Sequence, residues 1–182
     1  MKWTVHGERS IYDSEWIGLS LVDIEIPELT GHPARRFEHH VVRSRGPAAG
    51  TVVTDSAGDV LLLWRHRFIT DSWGWEIPAG GVDPGEDPAE AAAREVLEES
   101  GWRPGPVEPL IGYFPSNGLS DQRFDLFRAH GATYVGEPSD PSESERIEWL
   151  SVSRLRDEIT AGNLRDGLSL TAILWCLSFG YL

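Results

Sequence analysis

The sequence predicts an α/β fold in which a mixed β-sheet lies between helices. Two features of the 182-residue chain lead to this prediction. Short apolar runs of strand length recur along it, and they are interrupted by one helical run and followed by two others near the carboxyl end. A chain of this length can bury a substantial core as one domain, or as one domain with an appendage.

The first predicted elements form a hairpin or meander ahead of the main domain. Residues 16–26 alternate with both sides fairly apolar, and residues 35–44 read as a second strand beyond a turn segment. A small hairpin is not stable alone, so it must pack on its own core or on a second subunit. We therefore predict an amino-terminal β segment, residues 1–46, that mediates a homodimer, and a main domain, residues 47–182.

In the main domain the predicted strands are short and separated by turns. Residues 46–50 read as a linker and residues 134–145 as a polar surface loop. In the amino-terminal segment, the adjacent His39 and His40 point to opposite faces of their strand, so they cannot share a metal ion. Strands are predicted at 51–54, 60–64, 110–114, 123–129 and 147–150, and helices at 152–161 and 169–179.

A further helix is predicted within residues 80–102, after a loop that contains several glycines. Asp87 followed by Pro88 is the pattern of a helix start, because the carboxylate caps free amide groups and proline suits the first helical position. The run 89–100 is rich in Ala, Glu and Leu, which favour helices, and Gly101 ends it.

Three carboxylates crowd one face of this helix. At about 100° per residue, Glu95, Glu98 and Glu99 fall within one arc, opposite an apolar stripe that we expect to be buried. Like charges at this spacing repel, so the arrangement favours a bound cation, and hard divalent ions prefer carboxylate oxygens. A solvated acidic face is the alternative. The apolar stripe consists of Ala89, Ala93, Val96 and Leu97.

The whole stretch resembles the Nudix box, G-x5-E-x7-R-E-U-x-E-E-x-G-U, in which U is a bulky apolar residue. The resemblance implies a Nudix-type α/β/α sandwich and a hydrolase acting on a nucleoside diphosphate linked to another group. Trp102 stands where the family more often has an aliphatic residue, and we expect it to change packing rather than chemistry. The matching residues are Gly80, Glu86, Arg94, Glu95, Glu98, Glu99 and Gly101.

The same resemblance implies roles for the box side chains. The carboxylates of Glu95, Glu98 and Glu99, with the backbone oxygen of Ala79, would hold Mg²⁺ or Mn²⁺. The metal would neutralise the diphosphate and activate a water, which makes Glu98 part of the catalytic machinery. Arg94 lies beside the cluster and would hold the glutamates in place.

A separate carboxylate would accept the proton of the attacking water. The acidic loop ahead of the last strand resembles the segment that carries the catalytic base, which indicates Glu143 first and Glu145 second. The alternative is that both are solvated acids of a polar loop. Glu95 and Asp121 are the next candidates.

Segments outside the box resemble the ADP-ribose pyrophosphatase subgroup. The resemblance implies that Arg67 binds a substrate phosphate, although a surface ion pair is the alternative. Trp73 and Trp75 are expected to pack in the core rather than to stack on a nucleobase. Trp16 would stack on a nucleobase across the dimer or belong to the core. The resembling segments are 64–67, 75–80, 115–122, 143–147 and 159–174.

The loop at 115–122 would contact the substrate through Gly118 and Asp121. Asn117 and Gln122 depart from the subgroup, which usually has proline and glutamate there. Because this loop is expected near the ribose and the phosphates, the departures leave the sugar open. We expect ADP-ribose to be hydrolysed to AMP and ribose 5-phosphate. The alternatives are another nucleotide sugar such as GDP-mannose, a damaged nucleoside triphosphate, and a nucleotide-sugar sensor without catalysis.

Composition excludes several classes of function. A net charge of −13 argues against nucleic acid as a partner, because phosphate backbones select basic faces. The one cysteine, Cys176, cannot form an internal disulfide. We expect no signal peptide and no membrane span, and hence a cytoplasmic enzyme whose partners are a small-molecule substrate and a second copy of itself.

Overall fold

The computed structural model describes residues 1–139 and 143–182. Within them the chain forms two compact units. The first comprises Met1–Gly46 and Ser116–Gln122, and the second comprises Pro47–Pro115 and Arg123–Leu182. No helix in the described ranges is long and apolar enough to cross a membrane.

The first unit is a three-stranded antiparallel meander with β2 in the centre. β2 buries Val22 and Ile24 on one face, as its alternation predicts. Strand β1 was not predicted, because its residues are exposed throughout and carry no apolar alternation. The strands are β1 (Thr4–Asp13), β2 (Ile17–Ile26) and β3 (Arg35–Ser44).

The segment Ser116–Gln122 belongs to this first unit because it bonds along β3. The Val42 amide donates to the Leu119 carbonyl at 2.8 Å, and the Ser44 amide donates to Asp121 Oδ1 at 2.8 Å. The ring of His39 donates from Nε2 to the Gly118 carbonyl at 2.9 Å.

The second unit is built on a seven-stranded sheet with the order β12-β5-β4-β10-β9, in which β6 pairs with β5 and β7 with β4. The β4–β10 pair is parallel and the other pairs are antiparallel, so the predicted mixed sheet is confirmed. The strands are β4 (Ala48–Thr54), β5 (Val60–Arg67), β6 (Ser72–Glu76), β7 (Ala79–Gly81), β9 (Val107–Tyr113), β10 (Phe124–His130) and β12 (Arg146–Leu150), and a separate pair is formed by β8 (Trp102–Pro104) and β11 (Ala132–Tyr134).

Three helices complete the second unit, and each begins at a capping side chain. Asp87 accepts from the Ala89 amide ahead of α1 (Pro88–Ser100), and Gly101 ends this helix at φ 73°. Ser151 caps α2 (Val152–Thr160), and Asp166 caps α3 (Gly167–Phe179). All three helices occupy the positions that the sequence predicts, to within two residues at either end.

Helices cover both faces of this sheet. Val52 and Leu62 pack with Leu155, Ala172 and Ile173 of α2 and α3. Their strand neighbours Val53 and Leu61 point to the other face, where they pack against Val96 of α1. The predicted α/β sandwich is thereby confirmed.

Some local predictions were wrong. Residues 48–50 are not a linker but the start of β4, because they pair with both β10 and β7. The short strands β6, β7, β8 and β11 were missed. The predicted buried stripe of α1 was only partly right: Val96 is buried and Ala89 is half-buried against the core, whereas Ala93 and Leu97 are half-buried outside the core clusters. The helix contacts the sheet through small residues and one charged residue, and its buried residues are Ala91, Ala92, Val96, Glu99 and Ser100.

Candidate active site

Glu86 links the loop before α1 to the helix by hydrogen bonds. Its carboxylate accepts from Arg94 Nε at 2.9 Å and from the Asp83 amide at 2.9 Å. The hydrogen bond from Arg94 is the main reason that the pKa of Glu86 falls to about 2. The Arg94 Nη2 group also donates to the Gly81 carbonyl at 3.0 Å, so one guanidinium spans loop, strand and helix.

The same guanidinium holds two of the three box glutamates. Arg94 Nη1 donates to Glu95 Oε1 at 2.7 Å and to Glu98 Oε2 at 3.0 Å. Burial raises the pKa of Glu95 above its usual range, against the opposing effect of Arg94. The expected contact between Arg94 and the acidic cluster is therefore present.

Glu99 occupies a different environment, since its side chain is only 6% exposed. Its Oε1 lies 2.7 Å from Arg65 Nη2, and its Oε2 accepts from the Ala79 amide at 2.8 Å. Burial raises the pKa of Glu99 to about 7, although Arg65 and the Ala79 amide oppose this rise. The helical wheel correctly places Glu99 beside Glu95 and Glu98. The alternative that the three glutamates form a solvated face was wrong for Glu99, which is buried.

Arg65 is a site residue that sequence reasoning missed. It is 5% exposed within β5, where it follows the apolar run Val60–Trp64 and precedes His66. The sequence does contain a signal for it: a charged residue that follows a run of buried leucines in a strand requires an oppositely charged partner. The partner is Glu99, 34 positions along the chain, and only the packing of α1 on the sheet identifies it.

The two candidate bases lie on the described part of the acidic loop. Glu143 is exposed, and its charge contributes to the raised pKa of Glu95, so it lies within electrostatic reach of the box. Glu145 is also exposed, and its amide donates to the Trp64 carbonyl at 2.9 Å. Residues 140–142 of the predicted loop lie outside the described ranges. The structure brings Glu143 towards the box and leaves the choice of base a prediction.

Arg67 lines a cavity of about 530 Å³ that also contacts Trp73, Glu76 and Asp166. Its guanidinium binds the buried carboxylate of Glu76 through two nitrogens, with Nε 2.9 Å from Oε1. Arg67 thus forms the ion pair of the alternative interpretation and still faces open space. Trp75 is buried as expected, but the core position expected for Trp73 was wrong: it stacks on Trp64 with one side and lines this open cavity with the rest, and is 47% exposed.

Three predicted substrate residues lie in the first unit. Trp16 is 78% exposed, so the alternative that it belongs to the core was wrong. The Gly118 carbonyl accepts from His39, and Asp121 accepts from Arg43 Nη1 at 3.0 Å. Their contacts with substrate stay predictions.

The donor set of the box fits a hard divalent cation. Glu95, Glu98 and Glu99 present carboxylate oxygens, and burial raises the pKa values of Glu95 and Glu99, so a bound cation would stabilise their charged forms. In the described part of the chain no three His, Cys, Asp or Glu side chains already form a metal-binding group. Arg94 contacts Glu95 through Oε1 and Glu98 through Oε2, so the second oxygen of each carboxylate does not contact Arg94 and is a potential metal ligand.

Comparison with known proteins agrees with this site. The model of the NUDIX domain matches residues 44–168. A CMP-5'-(N-acetyl-N-hydroxy-3-aminopropyl)phosphonate hydrolase of Streptomyces rubellomurinus (strain ATCC 31215) is 37% identical over 180 residues, which cover 99% of this chain and 84% of that protein. An ADP-ribose pyrophosphatase of Bacillus subtilis (strain 168) is 27% identical over 80% of this chain and 76% of that protein.

Among solved structures, the crystal structure of an ADP compounds hydrolase shares the fold. Its TM-score is 0.81 at 19% identity, over 98% of this chain and 94% of that one. The family model covers more than half of the chain, including the box helix and all its glutamates. The chain therefore belongs to the Nudix family and is a pyrophosphohydrolase.

Proposed function

We propose that this enzyme hydrolyses the anhydride between a nucleoside monophosphate and a second phosphorus-containing group, with a divalent metal ion. The observation that carries the proposal is the convergence of Glu95, Glu98 and Glu99 at one end of α1, within reach of the charge of Glu143. Nudix hydrolases generally use divalent metals.

The metal we propose is Mg²⁺ or Mn²⁺, held by the three box carboxylates and the Ala79 carbonyl. When bound, it neutralises charge on the diphosphate and acidifies water. Arg94 contacts two of the carboxylates and Arg65 the third, so the protein orients all three ligands. Orientation of this kind supplies much of the catalysis in phosphoryl transfer.

Glu143 is the proposed general base, with Glu145 as the second candidate. A base supplied from the loop leaves the helix carboxylates free to bind metal, and it accepts the proton of the attacking water as the bond between phosphorus and the leaving oxygen breaks. Arg67 is the proposed phosphate ligand, because its guanidinium lines the cavity beside Glu76.

The first substrate we propose is ADP-ribose, which would give AMP and ribose 5-phosphate. Its support is the resemblance of the segments around the box and the similarity to the Bacillus subtilis relative. A second candidate is cytidine monophosphate joined to a phosphonate, which would give CMP and the free phosphonate. The Streptomyces relative favours it, because that similarity is higher and extends over nearly the whole chain.

We further propose that the enzyme acts as a homodimer through its first unit and takes a small molecule rather than a nucleic acid. The support is a net charge of −13 and the exposed apolar side chains of that unit, among them Trp3, Val5 and Trp16. A cytoplasmic location stays an expectation from the sequence.

The test is a substrate panel with identified products, run with Mg²⁺, with Mn²⁺ and with a chelator. ADP-ribose and a CMP–alkylphosphonate anhydride are compared with GDP-mannose, UDP-glucose, NADH, FAD and dGTP, and the products are assigned by phosphorus NMR. Metal-dependent release of AMP or CMP supports the proposal. Preferred release of pyrophosphate from dGTP would make the enzyme a triphosphate pyrophosphohydrolase, and binding without turnover would indicate a sensor.

A further inference from the structure

The acidic loop is attached at both of its described ends, once to the box helix α1 and once to strand β5. At one end the Ser139 amide donates to the Glu98 carbonyl at 2.8 Å, on α1 itself. At the other end the Glu145 amide donates to the Trp64 carbonyl at 2.9 Å, on β5. Glu143 therefore lies between contacts to the two elements that carry the box glutamates and Arg65.

The second attachment includes a side chain that reaches the buried box carboxylate. Arg65 Nη2 lies 2.7 Å from Glu99 Oε1 and donates to Ser144 Oγ at 3.2 Å. One nitrogen thus contacts both Glu99 and the residue that follows Glu143. Both charged side chains are 6% exposed, so water does not screen the pair as it would at the surface.

Stability alone is a weak reason for such a pair. Desolvation of two charges offsets much of their attraction, and apolar residues of similar volume are often as stable. Arg65 Nε, moreover, is buried and finds no hydrogen-bond partner among residues 1–139 and 143–182. Burying Arg65 with this unsatisfied nitrogen costs free energy of folding, which indicates that the side chain has a geometric role.

We propose that Arg65 is a positioning residue that ties Glu99 to Ser144 and thereby sets the place of Glu143 relative to the box glutamates. The inference rests on the proposed function of Glu143 as the base. Arg65 touches no reacting atom in this role, and it acts through the two residues that it contacts. A planar guanidinium holds two partners in fixed directions, which the flexible ammonium of lysine does not.

The experiment compares Arg65→Lys and Ser144→Ala with the wild type. Arg65→Lys keeps a cation beside Glu99 and loses the planar fork, whereas Ser144→Ala keeps the Arg65–Glu99 pair and loses only the loop contact. Arg128→Lys is the matched control, because Arg128 pairs with Glu108 and stacks on Tyr181 instead. Arg65→Gln is less suitable, because it leaves the buried Glu99 carboxylate without its cation and can prevent folding.

The first readout is amide hydrogen exchange of Glu145 in the metal-free protein, which needs neither substrate nor metal. Both variants are expected to lose about tenfold in protection there, while Arg128→Lys keeps the wild-type value. The second readout is steady-state kinetics with Mn²⁺ titration. Mutation of a residue that holds a catalytic side chain in place typically lowers activity by roughly 10- to 100-fold, so kcat should fall by that factor in both variants. In Ser144→Ala, KM and metal affinity should not change.

Wild-type exchange at Glu145 in both variants, with kcat within about twofold, would overturn the inference. A fall in metal affinity that is equal in Arg65→Lys and Ser144→Ala would also overturn it, because the loop contact would then serve the metal ligands rather than Glu143. Failure of the proposed function is distinguishable, since it shows as a wild-type enzyme without turnover on the panel and leaves the exchange result standing.

Discussion

A Cβ atom added to Gly80 would lie 2.2 Å from Cδ of Glu95. Strand β7 therefore passes so close to α1 that the Glu95 carboxylate occupies the space of a side chain. No heavy-atom contact of this length is tolerated, so any other residue at position 80 must displace Glu95. The close approach explains in physical terms why a glycine is needed at the start of the box.

Gly80→Ala should therefore impair the site without unfolding the protein. We expect Glu95 to be pushed from its position and kcat to fall by roughly 10- to 100-fold, together with a weaker response to metal titration. Gly81→Ala is the control, because no atom lies within 4 Å of a Cβ at that neighbouring position of the same strand. Equal kinetics for the two variants would contradict the prediction.

Glu98→Gln and Glu99→Gln should separate metal binding from folding. The side chain of Glu98 is 46% exposed and contacts only Arg94 among the described residues, so its change should cost about three orders of magnitude in kcat with little change in melting temperature. Glu99→Gln leaves the buried Arg65 without its anion, so it should also lose about 1–3 kcal/mol of stability. Thermal unfolding and metal-dependent kinetics measure both effects, with Glu90→Gln on the same helix as control.

Near-normal rates at saturating Mg²⁺ for both Glu98→Gln and Glu99→Gln would refute their role as ligands. Equal melting temperatures for the two variants would show instead that the Arg65–Glu99 pair does not stabilise the fold.

Glu143→Gln should lower kcat by about 10²- to 10⁴-fold, because it removes the proton acceptor and leaves the metal ligands in place. KM and metal affinity should change little, and the acid limb of the pH–rate profile should disappear. Glu145→Gln, two residues away on the same exposed segment, serves as the matched comparison. Wild-type rates and an unchanged acid limb in both variants would move the base to Glu95 or Asp121.

The box helix could be predicted from sequence because its signals are local. Asp87, Pro88 and Gly101 mark its ends within a few positions, and the structure follows them. The burial of Glu99 could not be predicted, because it depends on Arg65 and on the Ala79 amide, which lie 34 and 20 positions away. A helical wheel treats a carboxylate as a surface group and holds no information on such partners.

The same reason explains the missed strands. β6 and β7 are short, and they exist because β5 and β4 offer edges to pair with. Their own residues, rich in tryptophan and glycine, carry no alternation of strand length. β1 is exposed along its whole length, so its pairing with β2 leaves no apolar pattern to detect. Long-range pairing, rather than local propensity, decides these elements.

We predict that the first unit forms the interface of a homodimer. Val5 and Ile11 are 64% and 47% exposed on β1, and apolar side chains in such a small sheet require cover. Light scattering is expected to give twice the chain mass of 20.2 kDa at micromolar concentration. Val5→Glu with Ile11→Glu should dissociate the dimer, whereas Leu174→Glu, at a similarly exposed position of α3, should not. A wild-type monomer at this concentration would rule out the prediction.

Cys176 should be inert in the native protein. It is 1% exposed on α3, and burial raises the pKa of its thiol to about 11, so at pH 8 the thiol is protonated and inaccessible to a disulfide reagent. Between pH 9 and 11 the unfolded chain has lost this proton and the folded chain retains it. The free energy of unfolding therefore falls as the pH rises through that window.

Denaturant unfolding of the wild type and of Cys176→Ala across these pH values isolates the contribution of the thiol, because all other groups are shared. The wild type should lose stability relative to the variant as the pH rises, and one thiol per chain should react only after unfolding. Parallel stability curves, or rapid labelling of the native protein at pH 8, would show that the thiol is open to solvent.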